Sequence, residues 1–374
     1  MNRLVVVGGG ILGTMHAVEA IARGWDVVHL EREDGPRGAS VRNFGLVWVS
    51  GRAPGRELEL ALRARRRWEE VAREFPGTGF RATGSLTVVR STQELTVLEQ
   101  VVARADADAR GLRLVDPSEA QRVNPALAGG KPFLAALLCT TDAVVEPRHV
   151  LGALRSGCEA TGRYHWLPGR EVVGVGEHRV TDAVGDRHGG DLVVLCPGAA
   201  HGGLAAEVLA DAPLRRVRLQ MLETASSPAT VTTSLADGDS LRYYPGFDVP
   251  ARSELPPQDP VAASWAAQLL LVQRADGSLT IGDTHASDEP FPFDVDESPY
   301  RHLLAAAAAA AGLLGTGTIP PVVRRWAGVY SQMTDPSGAV PYFRVELGAA
   351  VQVVTGPGGR GMTLAPAIAE ETFQ

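Results

Sequence analysis

Apolar and polar positions divide the chain into short strands and amphipathic helices from the start. Residues 4–7 (Leu-Val-Val-Val) form an unbroken apolar run, the pattern of a strand buried on both faces. After three glycines, apolar residues recur at Ile11, Leu12, Met15, Val18 and Ile21. This is the spacing of a helix with one buried face, and it stops at Gly24. Residues 26–30 read as a second strand ending on Glu31. Residues 57–75 read as a long charged helix whose apolar side is Leu58, Leu60, Ala61, Leu62, Trp68 and Val71. Further strands are predicted at 84–90, 134–139, 170–175, 178–181, 191–195, 214–222, 322–330 and 351–354, with a strand-like aromatic stretch at 241–245. Residues 268–274 and 278–282 predict a hairpin around Asp276-Gly277. Helices are predicted at 92–110, from Pro117, at 149–161, 299–314 and 362–371, the last with Pro366 in its first turn. Residues 142–147 and the proline-rich 250–260 read as loops.

The opening pattern carries chemistry. Gly8, Gly10 and Gly13 fit G-x-G-x-x-G between a strand and a helix, with an acidic residue closing the next strand. Gly8 permits the tight turn, Gly10 lets backbone approach a pyrophosphate, and Gly13 lets the helix pack close to the strand. The helix N-terminus offers N–H groups and partial positive charge to phosphates, and Glu31 can accept from ribose hydroxyls. The motif predicts a dinucleotide and does not separate FAD from NAD. The stretch 37–45, with Ser40, Arg42, Asn43 and Gly45, reads as a second cofactor contact. The glycine turn at 196–200 suits close backbone approach by a ligand.

Composition narrows the classes. A chain of 374 residues with 45% hydrophobic and 21% charged positions suggests a globular protein of two domains or one elaborate one. Its net charge of −7 offers no footprint for nucleic acid or an anionic membrane. Lys131 is its one lysine, which removes lysine from nearly every catalytic role. Cys139, Cys158 and Cys196 stand in apolar or small-residue surroundings and read as buried thiols in a reducing, cytoplasmic setting. A strand entered by residue 4 leaves no room for a signal peptide, and the alanine-rich run 303–314 is too short for a bilayer. Nine scattered histidines without ligand spacing predict no metal.

Three later stretches carry a family resemblance over essentially the whole chain: the strand and turn at 191–200, the hairpin LLLVQRADGSLTIGDT at 269–284, and VVTGPGGRGMTLAPAIAEE at 353–371. Together with the glycine motif they resemble the FAD-dependent amine oxidoreductases of the D-amino acid oxidase, glycine oxidase and sarcosine oxidase superfamily. The resemblance implies FAD, bound noncovalently because no tethering cysteine stands before Gly356. It implies an α/β fold in which a discontinuous Rossmann-type FAD-binding domain (1–82, 140–213 and 322–374) carries an inserted α+β substrate domain (83–139 and 214–321) on a mainly antiparallel sheet. The cofactor contacts it implies are Gly8, Gly10, Ile11, Leu12, Gly13, Glu31, Arg32, Ser40, Arg42, Asn43, Gly45, Val173, Pro197 and Gly198. Near the other end they are Gly356, Gly358, Gly359, Arg360, Gly361, Met362 and Thr363, where a helix N-terminus can stabilise charge on a reduced flavin.

The departures from the family bear on the substrate. Trp326-Ala327-Gly328-Val329 leads to Tyr330 where glycine-oxidase-like members carry a carboxylate-binding arginine, which argues against a plain α-amino acid. GASVRNFGLVW (38–48), WAGVY (326–330) and VVTGPGGRGMT (353–363) look most like a subgroup associated with phosphonate metabolism. That resemblance implies oxidation of a primary or secondary amine to an imine and then an aldehyde, with 2-aminoethylphosphonate or its N-methyl derivative as substrate and O2 or another electron acceptor as partner. The candidate catalytic groups are Tyr330, Trp326 and His285; the candidate substrate contacts are Arg242, Tyr243, Tyr244, Arg274 and Arg301. An amino acid oxidase, another dehydrogenase of the superfamily and a non-catalytic flavoprotein subunit are the alternatives. Neither nucleic acid nor membrane is an expected partner, and homo-oligomerisation is left open.

Overall fold

Arg3–Val7 and Asp26–Leu30 pair in parallel on either side of the glycine turn, with Val6 opposite His29. They are inner strands of a six-stranded sheet in a computed structural model that describes residues 2–311, 319–335 and 340–374. The sheet runs Phe343–Leu347, Val351–Thr355, Leu192–Leu195, Arg3–Val7, Asp26–Leu30, Tyr164–Leu167, and all but the first of these strands are parallel. The unbroken apolar run of the first strand follows from burial on both faces. Leu4 and Val6 pack with Ile11–Ala22, Arg56–Glu74 and Gly361–Thr372 on one side. Val5 packs with Val193, Leu195 and Val353 on the other.

A second, eight-stranded sheet runs Val322–Met333, Leu214–Ser226, Ser278–Gly282, Leu270–Gln273, Ser234–Ala236, Ser85–Val89, Ala135–Cys139, Leu112–Val115. It is antiparallel except where Ser234–Ala236 meets Ser85–Val89. One face packs against the helix Glu297–Ala310; the other carries Met221, Leu270 and Tyr330, with Tyr244 in the core packed on it. The architecture is thus the expected α/β one, a Rossmann-type sheet beside a mainly antiparallel sheet. Val322–Met333, grouped by sequence with the cofactor segments, pairs along its length with Leu214–Ser226 and belongs to the second sheet. Among the described residues no helix is long and apolar enough to cross a membrane.

Several elements differ from their patterns. The aromatic stretch 241–245 is no strand: Ser240–Tyr243 is a helical turn, continued by Pro245–Phe247. Pro245 has no N–H for a ladder, and its fixed φ suits the start of a turn. The helix predicted over 92–110 ends at Val102. Arg110 instead turns inward, ion-pairs with Asp106 at 2.7 Å, and donates to the carbonyls of Ser50 and Arg52 at 3.0 and 2.6 Å. The stretch 142–147 holds a two-residue strand, Ala143–Val144, against Leu46–Val47. The helix predicted over 299–314 is seen as Glu297–Ala310, and its last positions, 312–314, lie outside the described residues.

The last helix starts at Gly361, so Pro366 lies in its interior rather than its first turn. A proline there cannot donate to the carbonyl four residues back, that of Met362. The Trp68 indole, fully buried on the long helix, donates to this carbonyl at 2.9 Å. The two helices are thereby joined at a backbone defect.

Two buried histidines also hold the first sheet. The Gly8 carbonyl can only accept, so His29 donates to it from Nε2 at 3.0 Å and accepts the Tyr164 hydroxyl at Nδ1 at 2.9 Å. His16 donates from Nδ1 to the Leu12 carbonyl at 2.7 Å. Burial, above all, pulls both pKa values down from 6.5 to about 4. Between those values the unfolded chain binds two protons that the folded chain does not, so stability rises with pH across that window. Urea midpoints are expected to fall as pH drops from about 6.5 to about 4, each histidine contributing on the order of 1–3 kcal/mol. The double variant His16→Gln/His29→Gln flattens this slope. Trp68→Phe, which leaves the Met362 carbonyl without a donor, is expected to lower unfolding stability by about 1–3 kcal/mol at neutral pH in the same assay.

Candidate active site

A cavity of about 800 Å³ runs from the glycine turn to the loop before the last helix. Its first end is built by backbone. Gly8 has φ +108, and a Cβ there would overlap the Cys196 carbonyl; a Cβ on Gly13 would overlap the Gly8 carbonyl. Both glycines are therefore required by packing alone. Gly10 is different. Its φ of −74 and ψ of −178 suit any residue, and a Cβ would meet nothing nearer than Ser40 Oγ at 3.2 Å. The free side of Gly10 is the cavity, which fits the close approach of a ligand to backbone at a helix N-terminus. Glu31 closes the turn, accepting from the N–H groups of Gly9 at 2.6 Å and Glu33 at 3.0 Å.

The loop after Glu31 forms one wall. Ser40 accepts from the Ile11 N–H at 2.9 Å, and Arg42 donates to the Ala327 carbonyl at 2.9 Å. Asn43 knits the loop internally, donating to the Ala39 and Ser40 carbonyls and accepting from the Gly45 N–H. Pro197 and Gly198 line the wall across from it, and Gly358 to Met362 line the far end.

Aromatic and charged groups from distant segments meet at that far end. The hydroxyls of Tyr330 and Tyr243 lie 3.4 Å apart. The Tyr243 ring stacks on His285 with centroids 3.9 Å apart and meets Tyr244 edge-on at 5.0 Å. His285 Nε2 is 3.5 Å from Asp283 Oδ2, and its Nδ1 lies 3.0 Å from the Ala266 carbonyl. Asp283 Oδ1 is buried without a hydrogen-bond partner in a residue that lines the cavity. Burial pushes the Asp283 carboxyl above the usual carboxylate range, against the pull of His285 and of the neighbouring Gln268 amide. Burial also pushes the Tyr243 phenol up to about 12 and those of Tyr244 and Tyr330 well above their ordinary value, so all three are neutral hydrogen-bonding groups. Leu219, Met221 and Leu270 supply an apolar wall.

Most residues singled out from sequence line this one cavity: Gly8, Gly10, Ile11, Leu12, Gly13, Glu31, Arg32, Ser40, Arg42, Asn43, Pro197, Gly198, Gly358 to Met362, Tyr243, Tyr244, His285 and Tyr330. Others do not. Gly45 has φ +68 and backs onto the Val145 carbonyl, while Gly356 has φ +74 and backs onto Leu214. Val173 is exposed, and strand alternation puts its neighbour Val172 on the lining instead. Thr363 bonds internally, accepting from the Trp48 N–H and donating to the Leu46 carbonyl. Arg242 is held by the Pro256 carbonyl and Asp239. Arg274 is buried on the Phe44 and Val145 carbonyls beside Glu146. Arg301 is exposed on its helix. Trp326 lies just beyond the lining, under the Arg148 guanidinium, with its indole on the Arg42 carbonyl.

The sequence reading missed Asp283, Arg52, Trp48, Met221 and Val172. Asp283, two residues before His285 at the hairpin end, had the clearest signal; Arg52 sits in a turn without periodicity. Among the described residues no group of three or more His, Cys, Asp or Glu side chains could hold a metal ion.

The fold is similar to that of glycine oxidase from Geobacillus kaustophilus, 18% identical with a TM-score of 0.77 over 100% of this chain and 94% of that one. It is also similar to L-proline dehydrogenase from P. horikoshii (20% identical, TM-score 0.76, 99% and 91% covered). Iminodiacetate oxidase from Chelativorans sp. gives 17%, a TM-score of 0.74, and 98% and 93% coverage. A curated relative, the mitochondrial pyruvate dehydrogenase phosphatase regulatory subunit of Mus musculus, is 24% identical over 161 residues. That match takes in 43% of this chain and only 18% of the relative's length. Residues 3–374 match the family model described as FAD dependent oxidoreductase, and the chain belongs to that family.

Proposed function

We propose that this protein oxidises a primary or secondary amine at the tyrosine-lined end of its cavity, and that the substrate is an aminoalkylphosphonate such as 2-aminoethylphosphonate or its N-methyl derivative. The observation that carries the amine reading is the partnerless Asp283 oxygen beside His285 in an aromatic-walled cavity. An acidic oxygen among aromatic rings is a complement for an ammonium group. The pair can take the proton that the amine must lose before its C–H bond becomes a hydride donor. The similar solved structures include glycine oxidase and iminodiacetate oxidase, whose names denote oxidation of amines.

Bound FAD supplies the two-electron acceptor. The glycine turn with the helix N-terminus, Glu31, Ser40, Val172, Gly198 and the backbone of the loop Gly358 to Met362 would hold it, noncovalently. The amine becomes an imine, which water hydrolyses to an aldehyde and ammonia or methylamine. Tyr330 and Tyr243 offer neutral hydroxyls to the substrate, and Leu219, Met221 and Leu270 keep water from the reacting carbon. O2 or another acceptor then takes the electrons.

The phosphonate reading rests on the resemblance of stretches 38–48, 326–330 and 353–363 and on Tyr330 in place of a carboxylate-binding arginine. The likeness to a regulatory subunit favours a second reading, a flavoprotein without turnover of its own.

Anaerobic addition of 2-aminoethylphosphonate or its N-methyl derivative is expected to bleach the flavin, with glycine and sarcosine far slower. Bleaching by glycine or sarcosine alone would sink the phosphonate assignment, and no bleaching by any amine would favour the second reading. Tyr330→Phe is expected to lower kcat/KM by roughly tenfold, the worth of about one hydrogen bond to substrate. Gly10→Val should fold, since its backbone is unstrained, yet purify without yellow colour; full retention of FAD would remove the glycine turn from the binding site.

A further inference from the structure

Two arginines at the tyrosine end share a single carboxylate. Glu57, fully buried in the first turn of the helix Arg56–Glu74, is met at Oε1 by Arg52 Nη1 at 3.3 Å and by Arg360 Nε at 3.2 Å. Arg52 is held further by the Trp48 carbonyl at 2.8 Å, and its guanidinium lies 5.6 Å from the Tyr244 ring centroid. Arg360 follows Gly359, where a Cβ would stand 3.7 Å from the Tyr330 hydroxyl. Both arginines line the cavity, and Arg52 does so while only 3% exposed.

One carboxylate neutralises one guanidinium, so this corner, with Arg52 buried and Arg360 half-buried, carries an excess of positive charge. Such a charge is costly unless a ligand completes it. Both arginines are held by Glu57, and Arg52 also by the Trp48 carbonyl, before any ligand arrives, so little side-chain entropy is lost on binding. Their charges reach Tyr243: burial raises its phenol, Asp283 adds to the rise, and the Tyr330 hydrogen bond, Arg360 and Arg52 oppose it. The acidic and basic groups therefore act on one small volume.

We infer that Arg52 and Arg360, braced by Glu57, form the subsite for the oxyanion of a zwitterionic substrate whose amino group faces Asp283 and His285. This assignment rests on the amine-oxidation reading for the substrate's other end. It places the anion on residues from two loops far apart in sequence, instead of on Arg242, Arg274 or Arg301. A planar fork suits either a carboxylate or a phosphonate, so the shared chemistry is an oxyanion.

The test uses the FAD-loaded protein with methylphosphonate and acetate as probes that carry no amine. Binding is followed by perturbation of the flavin spectrum and by calorimetry. Methylphosphonate is expected to bind the wild type, to bind roughly tenfold or more weakly to Arg360→Gln and Arg52→Gln, and to bind Arg301→Gln unchanged. Arg52→Lys, which keeps the charge and loses the fork, should fall between. Flavin content and thermal midpoint of each variant separate loss of the subsite from loss of the fold. A stronger response to acetate would name a carboxylate as the natural group. Equal affinity of wild type and Arg360→Gln, or no probe binding to the wild type, would overturn the inference. Probe binding that depends on Arg360 in a protein no amine reduces would keep the oxyanion subsite and sink only the oxidation reading. Bleaching by an anionic amine at unchanged KM in Arg360→Gln would do the reverse.

Discussion

The Gly8 carbonyl sits where three constraints meet. It accepts the His29 Nε2–H, it leaves no space for a Cβ on Gly13, and Gly8 itself presses against the Cys196 carbonyl. This close backbone contact sets how near the helix Ile11–Ala22 comes to its strand, and so where its N-terminus points. Glu31 and Ser40 then fasten the turn from two sides. Nothing bulkier than glycine satisfies these contacts, so the end of the cavity that faces Gly10 has fixed backbone walls.

Arginines act as internal ties in the rest of the molecule. Arg110, Arg274 and Arg52 are buried, and each donates to backbone carbonyls of segments that lack regular structure. An irregular segment under the surface needs donors for its carbonyls, and a guanidinium supplies several in one plane. Arg274 was a reasonable ligand candidate by residue type. It has a structural role because the hairpin end it occupies lies against the loop at Phe44 and Val145. Arg52 does both: it ties Trp48 to Glu57 and still faces the cavity.

The far end of the cavity is made by convergence. Tyr330 comes from the edge strand Val322–Met333, Tyr243 from a helical turn, Asp283 and His285 from the end of the hairpin, and Arg360 from the last glycine loop. The two sheets meet here, and the groups each contributes are opposite in charge. The neutral phenols of Tyr243 and Tyr330 line the same end of the cavity.

Local pattern decided the glycine turn, the first two strands, the hairpin and the final glycine loop. In each, short-range backbone requirements dictate residue type: positive φ, an exposed helix N-terminus, or an apolar run buried on both faces. Most residues singled out on those grounds line the cavity, and exposed Val173 stands one step of strand alternation from Val172, which does. The charged end of the cavity was not readable. Arg52, Asp283 and Arg360 come from three segments far apart in sequence and meet only on the wall of one cavity. An arginine looks alike in sequence whether it caps a carbonyl or awaits a ligand. The tertiary structure alone decided this, by burying Arg274 on the Phe44 and Val145 carbonyls beside Glu146 and by setting Arg52 and Arg360 on the cavity wall with one carboxylate between them.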